Sequence, residues 1–295
     1  MSISYHKIPA SASAVDSFCE ARVVLAGGVA TVTASSKAGK APATVRMAGG
    51  LFLRRDTGEI IEPAAGCDGG GDRAHTLAAS MEQLRHLIAA GVRPGSAWLT
   101  LTYRACVRET EAVYEDWKAF IRAARRFSGR RLEYITAIEP QARGSWHIHG
   151  LLIPGADDPS PVYIPQADLL RIWRGIAARR MPEGDDRTAG GVHIHRIADA
   201  GDHLGAYLSA YLSDAGGKKG ARLAFYPKGC RFYRVSRGVQ RPIVLEGLTL
   251  EEARRIAAEH TGVAAPSYSR GYAVVDPVGR CVCVGVREQS VRGRG

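Results

Sequence analysis

The central part of the chain, residues 75–242, alternates between hydrophobic patterns typical of strands and of helices. Residues 97–104 alternate apolar and polar side chains with a period of two, as in a half-buried strand. Residues 111–127 place Val113, Trp117 and Phe120 on one stripe, as in an amphipathic helix. The remaining segments are strands at residues 132–139, 146–154 and 192–197, and helices at residues 75–90, 166–180 and 202–214. The order β-α-β-β-α-β-α predicts an α+β fold with a central antiparallel sheet and flanking helices.

The segments on either side of this region predict additions to a central domain. Residues 1–74 form a β-rich N-terminal extension that ends in a glycine-rich linker. Residues 243–295 predict a helix and a β-hairpin, and Thr249 and Glu252 have the spacing of a capping box. We therefore predict three segments: residues 1–74, 75–242 and 243–295.

Composition and the absence of certain sequence motifs indicate which kinds of partner and compartment the protein has. The net charge of +11 favours a polyanion, of which nucleic acid is the commonest. The six cysteines include no CxxC spacing, which argues against a zinc knuckle and for a reduced, cytoplasmic protein. No signal-peptide pattern and no long apolar run occurs, so we expect no membrane partner. No GxxxxGK[ST] phosphate loop is present, which argues against a built-in helicase.

The strongest local pattern is the pair His147 and His149 on a predicted strand. Residues i and i+2 of a strand share a face, so both imidazoles point the same way. Glu139 ends the preceding strand, and the turn at residues 143–145 folds that strand back, which can bring Glu139 opposite the histidines. Two imidazoles and one carboxylate with open positions form a site for a divalent cation. The alternative is a glutamate that merely flanks a turn.

Two further pairs compete for a functional role. His193 and His195 also share a strand face, but no carboxylate precedes them at hairpin spacing. We interpret them as structural or as contacts to DNA, with the alternative that they are the metal ligands. Tyr207 and Tyr211 lie one turn apart on a predicted helix, either as packed residues at the edge of the core or with hydroxyls that reach the metal.

Three of these segments together resemble the HUH endonucleases of rolling-circle replication. Residues 98–103 (WLTLTY) are similar to the first motif of that superfamily, and His147-Ile148-His149 resembles its metal-binding motif. Tyr207 and Tyr211 resemble the double-tyrosine motif of the branch that includes phage gene A-type replication proteins. The resemblance covers roughly residues 75–240.

The resemblance implies a ferredoxin-like HUH palm and a nicking reaction. His147 and His149 would bind Mg²⁺ or Mn²⁺, and Glu139 stands where relatives carry a third ligand. A tyrosine would attack single-stranded DNA at a replication origin, leaving a 5′-phosphotyrosine and a free 3′-OH. A host helicase and DNA polymerase would then act. Relatives often carry a lysine three residues after a catalytic tyrosine, where this chain has Ala210 and Asp214.

Other functions fit parts of the pattern. An HUH transposase or relaxase would use the same chemistry. A non-catalytic nucleic-acid-binding protein on the same fold would use the histidines and tyrosines for stacking. Aromatic side chains that can stack on DNA bases in either case are Tyr103, Trp146, Phe232 and Tyr233.

Overall fold

The computed structural model describes residues 4–8, 20–35, 44–46, 52–54, 60–61, 70–141, 143–183, 185, 188–197, 226–227, 230–275 and 281–292. The chain forms two compact units: a terminal unit, Met1–Arg73 with Pro242–Gly295, and a central unit, Ala74–Arg241. Both contain antiparallel sheets and helices, which confirms the predicted α+β class. In the described part of the chain, no helix is long and apolar enough to cross a membrane.

The elements follow one another in a mixed order. The strands are β1 (Ser4–Ile8), β2 (Glu20–Ala26), β3 (Val29–Ser35), β4 (Thr44–Arg46), β5 (Phe52–Arg54), β6 (Ile60–Ile61), β7 (Ala97–Tyr103), β8 (Leu132–Pro140), β9 (Trp146–Pro154), β10 (Gly190–Arg196), β11 (Tyr233–Val235), β12 (Ile243–Leu248), β13 (Tyr268–Val275) and β14 (Cys281–Val291). The helices are α1 (Gly70–Gly91), α2 (Thr110–Ser128), α3 (Gln166–Ala177), which continues into a 3-10 turn (Ala178–Arg180), and α4 (Leu250–Thr261).

Strands from both ends of the chain build one sheet in the terminal unit. Its order is β1-β13-β14-β3-β2-β12, so β14 pairs with β3 and β12 pairs with β2. Helix α4 begins at the predicted capping box, where the Thr249 side chain accepts from the Glu252 N–H. Pairing between strands so distant along the chain leaves no local pattern in the sequence, which predicted the two ends as separate segments.

The central unit holds a five-stranded sheet in the order β10-β7-β9-β8-β11. One face carries alternate residues such as Leu101 and Ile148, and α2 and α3 pack against it through Trp117 and Trp173. Part of the other face, around Leu151, is covered by α1. The remaining part of that second face carries the histidines described below.

The packing of α2 on the sheet leads to a stability prediction. A Cβ at Gly150 would lie 2.6 Å from Cη2 of Trp117, which is 1% exposed. We expect Gly150→Ala to lower the free energy of unfolding by about 1–3 kcal/mol, the usual cost of overpacking. The control is Gly175→Ala in α3, where a Cβ meets nothing within 4 Å.

Gly175→Ala should raise the free energy of unfolding by about 0.5–1 kcal/mol, because alanine favours helix over glycine. Urea denaturation of both variants measures the two changes. A neutral or stabilising Gly150→Ala would contradict the tight packing of Trp117 on β9.

Candidate active site

The hairpin of β8 and β9 carries Glu139, His147 and His149 on one face of the central sheet. The turn between the strands contains Gly144 with a φ of 82°, a conformation that glycine adopts without steric cost. The resulting register sets Glu139 directly opposite His147, while His149 lies one pair further along the same face. The structure therefore places on one face of one hairpin the three residues that the sequence predicted as metal ligands.

Glu139 and His149 form a buried hydrogen-bonded pair. Glu139 Oε2 lies 2.9 Å from His149 Nε2, and the two residues are only 7% and 8% exposed. A carboxylate shielded from water in this way requires a partner, which the imidazole supplies. His147 lies beside the pair, with its ring centroid 6.2 Å from that of His149 and the two ring planes at 77°.

Thr100 on β7 orients the His149 ring. Its Oγ1 accepts a hydrogen bond from Trp98 Nε1 at 3.2 Å and lies 3.3 Å from His149 Nδ1. An indole N–H can only donate, so Thr100 Oγ1 accepts from Trp98 and forms a second hydrogen bond with His149 Nδ1. These contacts leave His149 Nε2 facing Glu139. A sequence signal for Thr100 existed, because the alternation of residues 97–104 places it on the histidine face, but its role was missed.

A second chain of contacts orients His147. Arg143, in the hairpin turn, donates to Gln141 Oε1 over 2.9 Å. It also donates to the backbone carbonyls of Tyr103, at 2.7 Å, and Arg104, at 3.1 Å. With its oxygen held by the guanidinium, the Gln141 side chain turns its amide nitrogen toward His147 Nε2. The sequence predicted Arg143 only as part of the turn and predicted no role for Gln141.

The donor set fits a divalent cation in its chemistry. Among the residues that the structure describes, no three His, Cys, Asp or Glu side chains converge as a metal cluster. The reason is local, since Glu139 bonds to His149 while His147 faces Gln141. Adjacent ligands of an octahedral ion at about 2.1 Å lie about 3 Å apart. The 2.9 Å between Glu139 Oε2 and His149 Nε2 is compatible with that spacing, and binding would require His147 to turn away from Gln141.

The second histidine pair lies on the same sheet face, on edge strand β10. The register sets His193 opposite Thr100 and His195 opposite Trp98. The two exposed rings are 5.5 Å apart, and the Trp98 ring lies 6.3 Å from His195 and 5.5 Å from His149. Partial burial, followed by the charge of His193, lowers the pKa of His195 and favours a neutral ring. In the described part of the chain neither imidazole belongs to a metal-binding group with a carboxylate.

Two of the aromatic residues considered for stacking are part of the core. Trp146 is 1% exposed and Tyr103 is 3% exposed, so their interpretation as stacking surfaces is wrong. Tyr103 donates its hydroxyl to Asp116 Oδ2 over 2.9 Å. Burial, and then the Asp116 carboxylate, raise the pKa of this phenol well above its ordinary value. Phe232 and Tyr233 are half-buried and retain partly accessible rings.

The predicted nucleophiles Tyr207 and Tyr211 lie outside the described residues. The same holds for Ala210 and Asp214. Their assignment therefore stays a prediction from sequence.

A curated protein is similar to part of this chain. A protein from Halobacterium salinarum described as an uncharacterized 36 kDa protein is 31% identical to this chain over 149 residues. That alignment covers 44% of this chain and 46% of the relative, so the chain spans about half the length of the curated relative it matches. No solved structure matches the chain significantly.

A family model matches the part of the chain that carries the site. Residues 96–216 match a family of replication-associated proteins whose description names the protein ORF2. The matched range contains the β8–β9 hairpin, with Glu139, His147 and His149, and it also contains both predicted tyrosines. The match supports a replication-associated protein.

Proposed function

We propose that this protein is a replication initiator endonuclease that nicks single-stranded DNA at an origin of rolling-circle replication. The observation that carries the proposal is the placement of Glu139, His147 and His149 on one face of one hairpin, within the range matched to the replication-associated family. The net charge of +11 adds support, since a nicking enzyme must first hold a polyanion.

Glu139, His147 and His149 are the residues that would hold Mg²⁺ or Mn²⁺. When bound, such a cation neutralises charge on the non-bridging oxygens of the scissile phosphate. Thr100 keeps the His149 ring in a fixed orientation, and Arg143 acts on His147 through Gln141. The buried position of Glu139 and His149 limits competing contacts with water.

The proposed nucleophile is the phenol oxygen of Tyr207 or Tyr211. Phenol has an ordinary pKa near 10, so it must lose its proton to water or a base to attack phosphorus. The new bond joins the tyrosine oxygen to the phosphorus, and the bond from phosphorus to the 3′ oxygen breaks. The leaving oxygen takes up a proton and becomes the 3′-OH that a polymerase extends. The 5′-phosphotyrosine retains the phosphodiester for later rejoining.

A labelled oligonucleotide from the origin tests this proposal directly. A label at the 3′ end should move onto the protein in the presence of Mg²⁺ or Mn²⁺, because the downstream fragment becomes attached through its 5′ phosphate. A label at the 5′ end should appear in a shorter free fragment that a DNA polymerase can extend. Absence of any adduct across a panel of oligonucleotides would favour the non-catalytic nucleic-acid-binding protein.

The same assay separates the enzymatic alternatives by the DNA sequence that is cleaved. A transposase of the HUH type would cut and rejoin the ends of a mobile element, and a relaxase would act at a transfer origin. Host helicase and DNA polymerase remain the expected partners of a replication initiator. The chain contains no GxxxxGK[ST] phosphate loop, so we expect no ATP-driven unwinding by the purified protein alone.

The role of Thr100 gives a prediction about positioning. Thr100→Val keeps the shape of the side chain but removes the hydroxyl that lies between Trp98 Nε1 and His149 Nδ1. We expect a ten- to hundredfold loss in metal affinity, about the usual effect of removing an outer-shell partner of a ligating histidine. Thr100→Ser, the matched control, keeps the hydroxyl and should retain most of the affinity.

Titration of Mn²⁺ against nicking rate, and against thermal stability without DNA, measures the loss. Equal metal affinity in Thr100→Val and Thr100→Ser would show that Thr100 has only a packing role.

A further inference from the structure

Helices α2 and α3 cover one face of the central sheet, and His147 and His149 lie on the other face. The two helices form a groove between them. Both helices pack against the face that carries Leu101 and Ile148. The groove between them has a volume of about 580 Å³. Its floor is formed by small and apolar residues, namely Ala119, Ala123, Ile172, Gly175 and Ile176. Gly175 keeps the floor open, since a Cβ there would meet nothing within 4 Å.

Cations line both walls of the groove. Arg122 and Arg126 lie on α2 four residues apart, and Lys118 continues the same row in an adjoining depression. A four-residue step along a helix is about 6 Å, comparable to the distance between successive phosphates of an extended single strand. Arg171 and Arg179 line the opposite wall.

Nearby carboxylates neutralise only part of this charge. Asp168 pairs with Arg171 at 2.9 Å, and the buried Asp116 lies 3.5 Å from Arg179. In the described part of the chain, no carboxylate forms an ion pair with Arg122 or Arg126. Like charges four residues apart destabilise a helix slightly, so this arrangement has a cost that an anionic ligand would offset.

An exposed aromatic ring completes the surface. Phe127, near the C-terminal end of α2, is 46% exposed. The guanidinium of Arg171 lies 5.9 Å from its ring centroid. Proteins that bind single strands combine a positively charged groove with aromatic side chains on which bases stack. The groove offers both features, whereas a duplex would need no accessible ring.

We propose that this groove, lined by Arg122, Arg126, Arg171 and Arg179, binds a second segment of single-stranded DNA. The inference rests on the proposed function in one respect: the ligand of the groove is single-stranded DNA, which is also the substrate of the proposed nicking reaction. Since the sheet and the helix layer are each about 10 Å thick, a few nucleotides cannot occupy the hairpin and the groove at once. Only a longer strand reaches both.

The test compares two oligonucleotides and two kinds of variant in the full-length protein. The short oligonucleotide covers only the cleavage site, and the long one adds a thymidine extension. Arg122→Ala with Arg126→Ala removes two phosphate contacts, and Gly175→Met fills the floor without changing charge. The matched controls are Gly175→Ala, and Arg255→Ala with Arg270→Ala on exposed positions of the terminal unit.

We expect the double arginine variant to bind the long oligonucleotide about tenfold more weakly, with the salt slope of log K reduced by about 1.4, or about 0.7 for each lost contact to a single strand. Gly175→Met should also weaken this binding, while Gly175→Ala should not. Fluorescence anisotropy at several salt concentrations measures both quantities. Binding and nicking of the short oligonucleotide should be unchanged in every variant.

Two outcomes would overturn the inference. Unchanged affinity and salt slope for the long oligonucleotide would exclude DNA from the groove. Polyglutamate binding that depends on Arg122 and Arg126, without an effect on long DNA, would identify the groove as a docking site for an acidic protein. Failure of the nicking proposal is distinguishable, since a protein that forms no covalent adduct can still show the predicted loss in long-DNA binding.

Discussion

Replacing His147 or His149 with alanine should reduce the rate of nicking by more than about a hundredfold, beyond the effect expected for an outer-shell partner. Each change removes one of the proposed ligands on the β9 strand. Binding of single-stranded DNA should be retained, because contacts between arginine and phosphate supply most of the affinity. Rates measured with Mg²⁺ or Mn²⁺, and after addition of a chelator, test the metal requirement directly.

The matched control is the other histidine pair on the same sheet face. His193→Ala with His195→Ala removes two exposed imidazoles in the same HxH spacing and should leave nicking intact. Full activity after loss of His147 and His149, with loss of activity in the control, would transfer the metal site to β10. His149→Ala also leaves the buried Glu139 carboxylate without its 2.9 Å partner, so a melting curve must accompany each rate.

The sequence predicted the architecture of the central unit where local patterns decide it. Alternation in β7 and β9 fixes which residues share a face, and the turn with Gly144 fixes the register that sets Glu139 opposite His147. The apolar stripe of α2 is buried as predicted, through residues such as Trp117 and Phe120. In each case the residues that form the predictive pattern lie within one helix, one strand or one tight turn.

Contacts between distant parts of the chain were beyond such reasoning. The pairing of β14 with β3 joins residues 281–291 to residues 29–35, and no local pattern encodes that partnership. A different limit applies to the side-chain relay from Arg143 through Gln141 to His147. These residues are close in sequence, but their contacts depend on rotamers in a turn. The hydrophobic pattern of the two strands predicts the turn between them, but it does not predict the side-chain contacts that the turn residues make.

Aromatic residues show a different limit. Trp146 and Tyr103 lie on strands next to polar positions, so sequence alone allows either a surface or a core role. In the structure Trp146 packs edge-on against Tyr226, and Tyr103 against Trp173. Which face of a strand meets a helix layer is decided by the whole fold. Phe127 is the opposite case: its ring is exposed, and the periodicity of α2 predicted no surface role for it.

The largest effect of all is expected for the tyrosine pair. Rolling-circle replication needs at least two strand transfers, one to open the origin and one to release and close the copied strand. After the first transfer one nucleophile is blocked as a phosphotyrosine. Tyr207 and Tyr211 are four residues apart on a predicted helix, so their side chains share a face and can serve in turn. Tyr207→Phe with Tyr211→Phe should reduce covalent adduct by on the order of 10³-fold or more, as for loss of a covalent nucleophile.

Each single Tyr→Phe change should leave an initial nick detectable, with circle closure impaired. Phenylalanine keeps the ring and removes only the hydroxyl, so an unchanged melting temperature is the control for folding. Mass spectrometry of the adduct from wild-type protein should find DNA on both tyrosines. If Tyr207→Phe alone removes every adduct and Tyr211 is never labelled, the enzyme uses one nucleophile and Tyr211 is a packing residue. The resemblance to the HUH endonucleases implies a lysine at the positions that Ala210 and Asp214 occupy. Supplying one such cation with Asp214→Lys should therefore raise the rate of adduct formation at Tyr211 and leave Tyr207 unaffected.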